Sequence, residues 1–200
     1  ILEDMGVTAG NALVGLIVGT IVGIALAAVA ATLRPVDGML VPIIAAIAVV
    51  PIVAITPILN TMFGASSQFG RQAVAGLAAF VPVFINVLRG LRQTRPVHRD
   101  LLRSSAANGW QTFGKLTLPT ALPYLLTGLR IASSLAVISA LVAEYFGGPS
   151  DGIGTAIATY AKSGRAALAW AYVAGGIVIG LAFFLVTSLL ERIVMRRRSG

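Results

Sequence analysis

The 25 residues from Ala9 to Leu33, AGNALVGLIVGTIVGIALAAVAATL, contain no charged side chain. At a rise of about 1.5 Å per residue, a helix of this length can cross a hydrocarbon core of about 30 Å with some tilt. Gly15, Gly19 and Gly23 recur every four residues, so they lie along one helix face where a neighbouring backbone can approach closely. The segment indicates a chain built for a lipid bilayer.

The composition of the whole chain agrees with a membrane protein. Of its 200 residues 57% are hydrophobic and only 11% are charged, whereas soluble domains carry about 25% charged residues. The net charge of +8 lies mainly in loops and in the tail, where it sets topology, so we expect no nucleic-acid partner. Cysteine is absent, which excludes disulfides and thiolate metal sites. We expect no metal site of any kind.

Four further apolar segments predict an all-α, polytopic helix bundle in a single domain of residues 1–200. The second segment, Met39–Gly64, contains Pro42, Pro51 and Pro57. Interior prolines remove backbone hydrogen bonds, so we expect this span to be broken and buried against other spans. The loop between the last two spans is Gly-rich, and its middle can form a short helix. The five predicted spans cover residues 9–33, 39–64, 72–88, 120–146 and 166–190.

Orientation follows from the lysines and arginines, because cytoplasmic loops carry an excess of both. They concentrate between the third and fourth spans and in the tail, so we expect both regions, and the C-terminus, on the cytoplasmic side of the cell (inner or plasma) membrane. The first predicted span then begins outside, and we expect a further span to precede residue 1. The basic residues are Arg89, Arg92, Arg95, Arg99, Arg103 and Lys115 in the loop, and Arg192, Arg196, Arg197 and Arg198 in the tail.

The polar loop 89–119 is long for a connection in a helix bundle, and such loops are often functional. Asp100 can cap a first short helix, and Gly109 can break or end it. The residues alone leave three interpretations open: a docking surface for a partner protein, a helix lying on anionic lipid, and ordinary loop packing. The apolar stripe at helical spacing would consist of Leu101, Leu102, Ala106 and Trp110.

Polar side chains also occur within the predicted spans. Arg130 is expected to anchor the cytoplasmic end of its helix by pairing with carbonyls or reaching the interface. Glu144, at the outer end of the same helix, is expected to cap the Gly-rich loop or to contact a partner. Serine and threonine often bond to their own helix backbone. As a set, uncharged polar groups on kinked helices could instead line a path for a small solute: Thr56, Asn60, Asn86, Ser133 and Ser134.

The stretch AANGWQTFGKLTLPTALPYLLTGLRIASSLAVISALVAEYFGG, residues 106–148, closely resembles the signature region of permease subunits of bacterial ABC importers. The cytoplasmic motif of that family reads E-A-A, three residues, G, about nine residues, an apolar residue, one residue, and L-P. Leu118 and Pro119 match its end, and Asp100 keeps an acid at its start. The two alanines and the glycine are replaced, by Leu101, Leu102 and Ala106.

Val50–Gly64 is similar to the second span of the branch that imports nitrate, sulfonates, taurine and related solutes, a branch that riboflavin and thiamine-precursor permeases also resemble. The resemblance implies a type I ABC importer permease fold, a second and identical permease subunit, and an extracytoplasmic solute-binding protein. It also implies a cytoplasmic ABC ATPase dimer docked on residues 100–118. ATP and Mg would lie on that ATPase, since the sequence has no phosphate loop G-x-x-x-x-G-K-[ST]; this chain would be no enzyme and would bind no cofactor.

The resemblance implies a set of ATPase-coupling residues, namely Asp100, Leu101, Leu102, Arg103, Ala106, Ala107, Gly109, Trp110, Gln111 and Pro119. The alternative function is a self-contained channel or secondary carrier for a small polar solute. That class requires internal repeats or charges within the spans, and neither is clear in the sequence. The identity of the solute does not follow from the residues.

Overall fold

A computed structural model describes residues 1–64 and 67–196, apart from the side chains of residues 34, 52 and 53. Within these ranges the chain is all-α, with nine α-helices and one π-helical turn and no strand. The helices are α1 (Leu2–Thr32), α2 (Arg34–Val49), α3 (Ile52–Phe63), α4 (Phe69–Arg92), α5 (Pro96–Ser104), α6 (Gly109–Thr112), α7 (Leu118–Tyr145), α8 (Ile153–Lys162) and α9 (Ala166–Arg196). The π-helical turn, Phe113–Thr117, joins α6 to α7.

In the described part of the chain, four helices are long and apolar enough to cross a membrane: α1, α4, α9 and the continuous helix Gly109–Tyr145. The bent pair α2–α3 would supply a fifth span. The predicted break in this span lies at Val50–Pro51. The pair is buried against other spans on one side, where Ile44, Thr56 and Asn60 are the buried side chains among those described in α2 and α3. Among the described residues the pair packs mainly against α1, α4 and α7, and its other surfaces face outward.

The helices of the bundle run past the predicted spans. α4 covers residues 69–92 rather than 72–88, and α9 continues to Arg196 rather than ending at Leu190. Helix hydrogen bonds continue after hydropathy has fallen, because polar side chains at a helix end can be solvated while the backbone stays paired. Part of the predicted cytoplasmic loop 89–119 is therefore the last turn of α4.

The glycines of α1 pack against α4, as their spacing predicts. A Cβ atom at Gly15 would lie 2.6 Å from the Cβ of Ala75, and one at Gly19 would overlap the carbonyl oxygen of Gly76. At Gly23 the nearest atom belongs to Val83. Because the contacts advance together along both helices, α1 and α4 run parallel. Close backbone approach of this kind supplies the van der Waals contact that holds helices together in lipid.

The remaining long helices alternate in direction. Gly90 of α4 packs against Ala121 of α7, and Gly128 of α7 packs against Pro82, so α4 and α7 are antiparallel. Ser133 of α7 lies beside Thr187 of α9. We call the end that holds the C-termini of α1, α4 and α9 the basic end, and the end that holds residues 146–152 the Gly-loop end.

This arrangement puts the loop between α4 and α7 and the end of α9 at the same end of the bundle, as the charge pattern predicts. Arg197 and Arg198, which belong to the predicted basic tail, lie outside the described residues. That the basic end faces the cytoplasm stays a prediction.

Candidate functional site: the basic segment and the buried polar groups

The basic segment, residues 93–117, begins with the helix α5. Arg95 is the N-cap residue and Pro96 follows it at the first helical position, where its fixed φ favours a helix start. The prediction that Asp100 caps this helix is wrong, because the proline starts α5 earlier and leaves Asp100 in its interior. Arg103 lies in the last turn of α5 and is exposed.

A tight turn ends α5. The amide of Ala107 donates to the carbonyl of Leu102 (2.9 Å) and the amide of Ala106 donates to that of Arg103 (2.9 Å), the pair of bonds that defines a Schellman motif. Ala106 has φ 55°, in the left-handed region that normally selects glycine at this position. This is the position at which the importer motif has its glycine. The predicted helix break at Gly109 is therefore wrong, since α5 has ended before it.

Gly109 instead begins α6, which is held by a capping box. The amide of Gln111 donates to Oδ1 of Asn108, and the amide of Asn108 donates to Oε1 of Gln111, each at 2.9 Å. Reciprocal bonds of this kind satisfy donors that a helix start leaves free. Asn108 was not among the predicted coupling residues, although its spacing from Gln111 is the sequence signature of a capping box.

Large apolar side chains of the basic segment face outward. Trp110 is 84% exposed and Leu101 66% exposed, and Val97 lies one turn before Leu101 on the same face of α5. The Trp110 ring meets that of Phe113 edge to face, with centroids 6.4 Å apart. The predicted stripe is thus partly wrong: Leu102 is half-buried and Ala106 lies in the turn. Ala107 is also half-buried, and Pro119 lies in the first turn of α7.

The five polar residues predicted to line a path lie at different places in the single chain. Thr56 and Asn60 are buried on α3, and Asn86 donates to the carbonyl of Pro82 in its own helix (2.8 Å). Ser133 is buried between α7 and α9, whereas Ser134 borders a groove of about 440 Å³ on the outer face of the same pair. Their role in a pathway stays a prediction.

Arg130 is paired with an acid of α9, a contact that sequence reasoning missed. Its Nη1 lies 2.9 Å from Oε2 of Glu191, and Oε1 of Glu191 accepts a hydrogen bond from Thr127 (2.9 Å). The expectation that Arg130 pairs with carbonyls is corrected by this geometry. The partner is 61 positions away in the sequence, so no local spacing could have indicated it.

A buried polar network at the Gly-loop end was also missed. The fully buried Arg71 of α4 donates to Oδ1 of Asp151 (2.7 Å) and to the carbonyl of Pro149 (2.6 Å). It also donates to Thr155 (3.0 Å) and to Gln68 (3.1 Å). Arg71 therefore fastens the loop 146–152 and the start of α8 onto the bundle.

Glu144 holds the same region from α7. Its Oε2 accepts hydrogen bonds from Thr8 of α1 (2.8 Å) and from the amide of Gly154 (3.0 Å). The expectation that Glu144 caps the Gly-rich loop is confirmed. Gly152 makes the approach possible, because its φ is 88° and a Cβ atom there would lie 2.6 Å from Cδ of Glu144. The short helix predicted in the middle of the Gly-rich segment between the last two spans is α8.

Known transport permeases are similar to this chain. It is 35% identical to a formylaminopyrimidine transport permease protein of Halalkalibacterium halodurans, over 70% of this chain and 56% of that protein. It is 31% identical to a riboflavin transport system permease protein of Chloroflexus aurantiacus, over 83% and 61%, respectively. A putative aliphatic sulfonates transport permease protein of Bacillus subtilis is 27% identical, over 95% and 68%. The chain thus spans less than two thirds of the length of the first two relatives.

A chain of a methionine ABC transporter, solved in inward-facing conformations, matches the fold with a TM-score of 0.83, over 97% of this chain and 95% of that one. The two sequences are 15% identical, so the likeness concerns the fold alone. It confirms the predicted fold class, an all-α bundle like that of a type I ABC importer permease. The family described as the binding-protein-dependent transport system inner membrane component matches residues 15–200, and this chain therefore belongs to that family.

Proposed function

We propose that this chain is a transmembrane subunit of a binding-protein-dependent ABC importer. With a second permease subunit it forms the pathway of a small solute, and a cytoplasmic ATPase docks on its basic segment. The observation that carries the proposal is the exposed Trp110 on a tightly held segment of a chain that belongs to this family. Large exposed apolar side chains of this kind mark interaction sites.

The basic segment is suited to docking because its shape is fixed before a partner arrives. The Schellman motif at Ala106 and the capping box at Asn108 join α5 and α6 through a short turn in which the amides of Ala106, Ala107 and Asn108 are hydrogen-bonded. A preorganised surface loses little conformational freedom on binding. Trp110, Leu101 and Val97 supply aromatic and aliphatic anchors, and tryptophan in particular is enriched among residues that dominate interface energies.

ATP is handled by the partner in this proposal. Gly109–Lys115 has the spacing G-x-x-x-x-G-K, but Leu116 stands where a phosphate loop needs serine or threonine. The stretch is also helical rather than a loop, so its amides are engaged in helix bonds. The helices of this chain have two alternative packing arrangements. Nucleotide bound to the ATPase favours one arrangement, and solute in the pathway favours one as well.

The transported solute belongs to the small, soluble compounds that an extracytoplasmic binding protein can deliver. The names of the relatives range from formylaminopyrimidine to riboflavin and aliphatic sulfonates, so identity at this level does not choose among them. In the described spans Arg130 is neutralised by Glu191, and Thr56 and Asn60 offer uncharged groups. The ligand of the binding protein encoded beside this chain, measured by calorimetry, identifies the solute.

Docking is tested by purifying the tagged chain with its co-expressed ATPase. Trp110→Asp and Leu101→Asp place a charge in the proposed interface and should each reduce the co-purified ATPase by about tenfold or more. Trp170→Asp is the matched control, because Trp170 is 71% exposed but lies at the Gly-loop end of α9. Undiminished ATPase with both docking variants, or equal loss with the control, would falsify the proposed interface.

Orientation and energy source have their own tests. The chain has no cysteine, so Ser105→Cys on the exposed turn gives a single labelling site. A membrane-impermeant maleimide should label it from the cytoplasmic side only.

Solute uptake in vesicles should require the ATPase and ATP. Uptake by this chain without them would instead support a channel or carrier.

A further inference from the structure

A cleft at the basic end connects the basic segment to the bundle. Its volume is about 280 Å³, and its walls come from the last turns of α1 and α4, from α5, and from the start of α7. The lining is almost wholly apolar and includes Ala28, Leu91, Phe113, Leu122 and Leu125. The cleft lies where the membrane-crossing helices end, the depth at which lipid chains meet their headgroups.

Among the side chains that the structure describes, Arg99 is the only charged one that lines this cleft. It lies on α5, is exposed, and takes part in no ion pair among residues 1–64 and 67–196. A neighbouring groove between α2 and α4 is different, because one of its two arginines, Arg92, pairs with Asp37. The cleft thus combines apolar walls with one uncompensated cation.

We propose that this cleft binds an anionic phospholipid, with an acyl chain along the apolar walls and the phosphate at Arg99. The basic segment carries Arg95, Arg99, Arg103 and Lys115 against the single acid Asp100, so its charge complements an anionic headgroup. The lipid bridges Phe113 of the basic segment and Leu91 of the bundle, since both line the cleft. It thereby holds the basic segment against the spans, whether or not an ATPase is bound.

Trp110 can report this lipid. Its ring contacts Phe113, which lines the cleft, and the chain has only one other tryptophan, which a Trp170→Phe background removes. Single chains are placed in nanodiscs that contain phosphatidylcholine and a minor fraction of phosphatidylglycerol. Bromine is carried either by the phosphatidylglycerol or by an equal fraction of the phosphatidylcholine. Quenching by the brominated anionic lipid should be greater, and the enrichment that it reports should be about fivefold for one arginine.

Three variants distinguish lipid binding in the cleft from non-specific electrostatic attraction of anionic lipid to the basic segment. Arg99→Gln should abolish the preference for the anionic lipid. Arg103→Gln, which removes the same charge one turn later on α5 and outside the cleft, should preserve it. Ala28→Phe fills the cleft from its exposed side of α1 without changing charge, and it should reduce quenching by both lipids.

The proposal is overturned if both brominated lipids quench equally, or if Arg103→Gln removes the preference as completely as Arg99→Gln. It is also overturned if the preference appears only in discs that hold two chains, because a second copy would then complete the site. No ATPase is present in these discs, so the outcome is independent of the docking proposal.

Discussion

Replacing Arg71 by methionine should loosen the Gly-loop end more than any neutralisation of its acidic partner. Methionine retains most of the volume but none of the four hydrogen bonds that Arg71 donates. Asp151 is 43% exposed, so water can hydrate it once Arg71 is gone, and loss of the ion pair costs only about 1 kcal/mol. The bonds to Pro149, Thr155 and Gln68 contribute about 0.7 kcal/mol each. Together with the ion pair, the four interactions of Arg71 therefore contribute about 3 kcal/mol.

Asp151→Asn should cost less, about 1 kcal/mol, because the amide oxygen still accepts from Arg71 and the other three bonds stay. Ala158→Cys in α8 provides the assay, since this side chain is buried and the chain has no other thiol. Maleimide reaches it only when α8 opens. The labelling rate should rise about hundredfold with Arg71→Met and about fivefold with Asp151→Asn.

The control is Ala30→Cys in the last turn of α1, which is also buried but lies at the basic end, so its labelling rate should not respond to either change. If the cysteine at position 158 is labelled no faster with Arg71→Met than with Asp151→Asn, the four hydrogen bonds of Arg71 do not hold the loop 146–152. Equal acceleration at Ala30 would mean that the whole bundle opens, which contradicts a local role.

Three further changes have defined outcomes. Ala106→Gly should stabilise the turn after α5 by about 1 kcal/mol, because it removes the strain of an alanine in the left-handed region. The amide of Ala107, which donates to Leu102, should then exchange its hydrogen more slowly, and unchanged exchange would argue against the strain. Gly19→Ala should force α1 and α4 apart and lower the thermal midpoint in detergent, whereas Gly10→Ala, with nothing within 4 Å of its Cβ position, should not. Arg130→Gln and Glu191→Gln should each destabilise the bundle by about 1 kcal/mol, and the double variant should cost less than their sum; strict additivity would show that the pair contributes nothing.

Hydropathy and charge were sufficient to predict the broad architecture. In lipid, the backbone N–H and C=O groups of a long uncharged segment such as Ala9–Leu33 can form all their hydrogen bonds only if the segment is helical. The fold class therefore follows from backbone hydrogen bonding. The prolines of Met39–Gly64 predicted its break, and the glycine spacing of α1 predicted a packing face. Helix ends were less accurate, because hydropathy marks the hydrocarbon boundary and not the last hydrogen bond.

The polar network at the Gly-loop end could not be predicted. Arg71 lies between the second and third predicted spans, where hydropathy gives no sign of burial, and its partners Pro149, Asp151 and Thr155 are 78 to 84 positions later. Such contacts depend on which helices become neighbours, which a single sequence does not reveal. The turn at Ala106 is an intermediate case, since the family motif located the glycine position but not the Schellman geometry that explains it.

The unbroken helix from Gly109 to Tyr145 has a mechanical consequence. At 1.5 Å per residue its 37 residues reach about 55 Å along the helix axis, with Trp110 near one end and Glu144 near the other. A tilt of about 5° about one extremity would sweep the other through roughly 5 Å, the length of one helical turn. A displacement of Trp110 would thus move Glu144, beneath the Gly-rich loop, through rigid-body tilting of the helix. No series of side-chain rearrangements between the two residues would be needed.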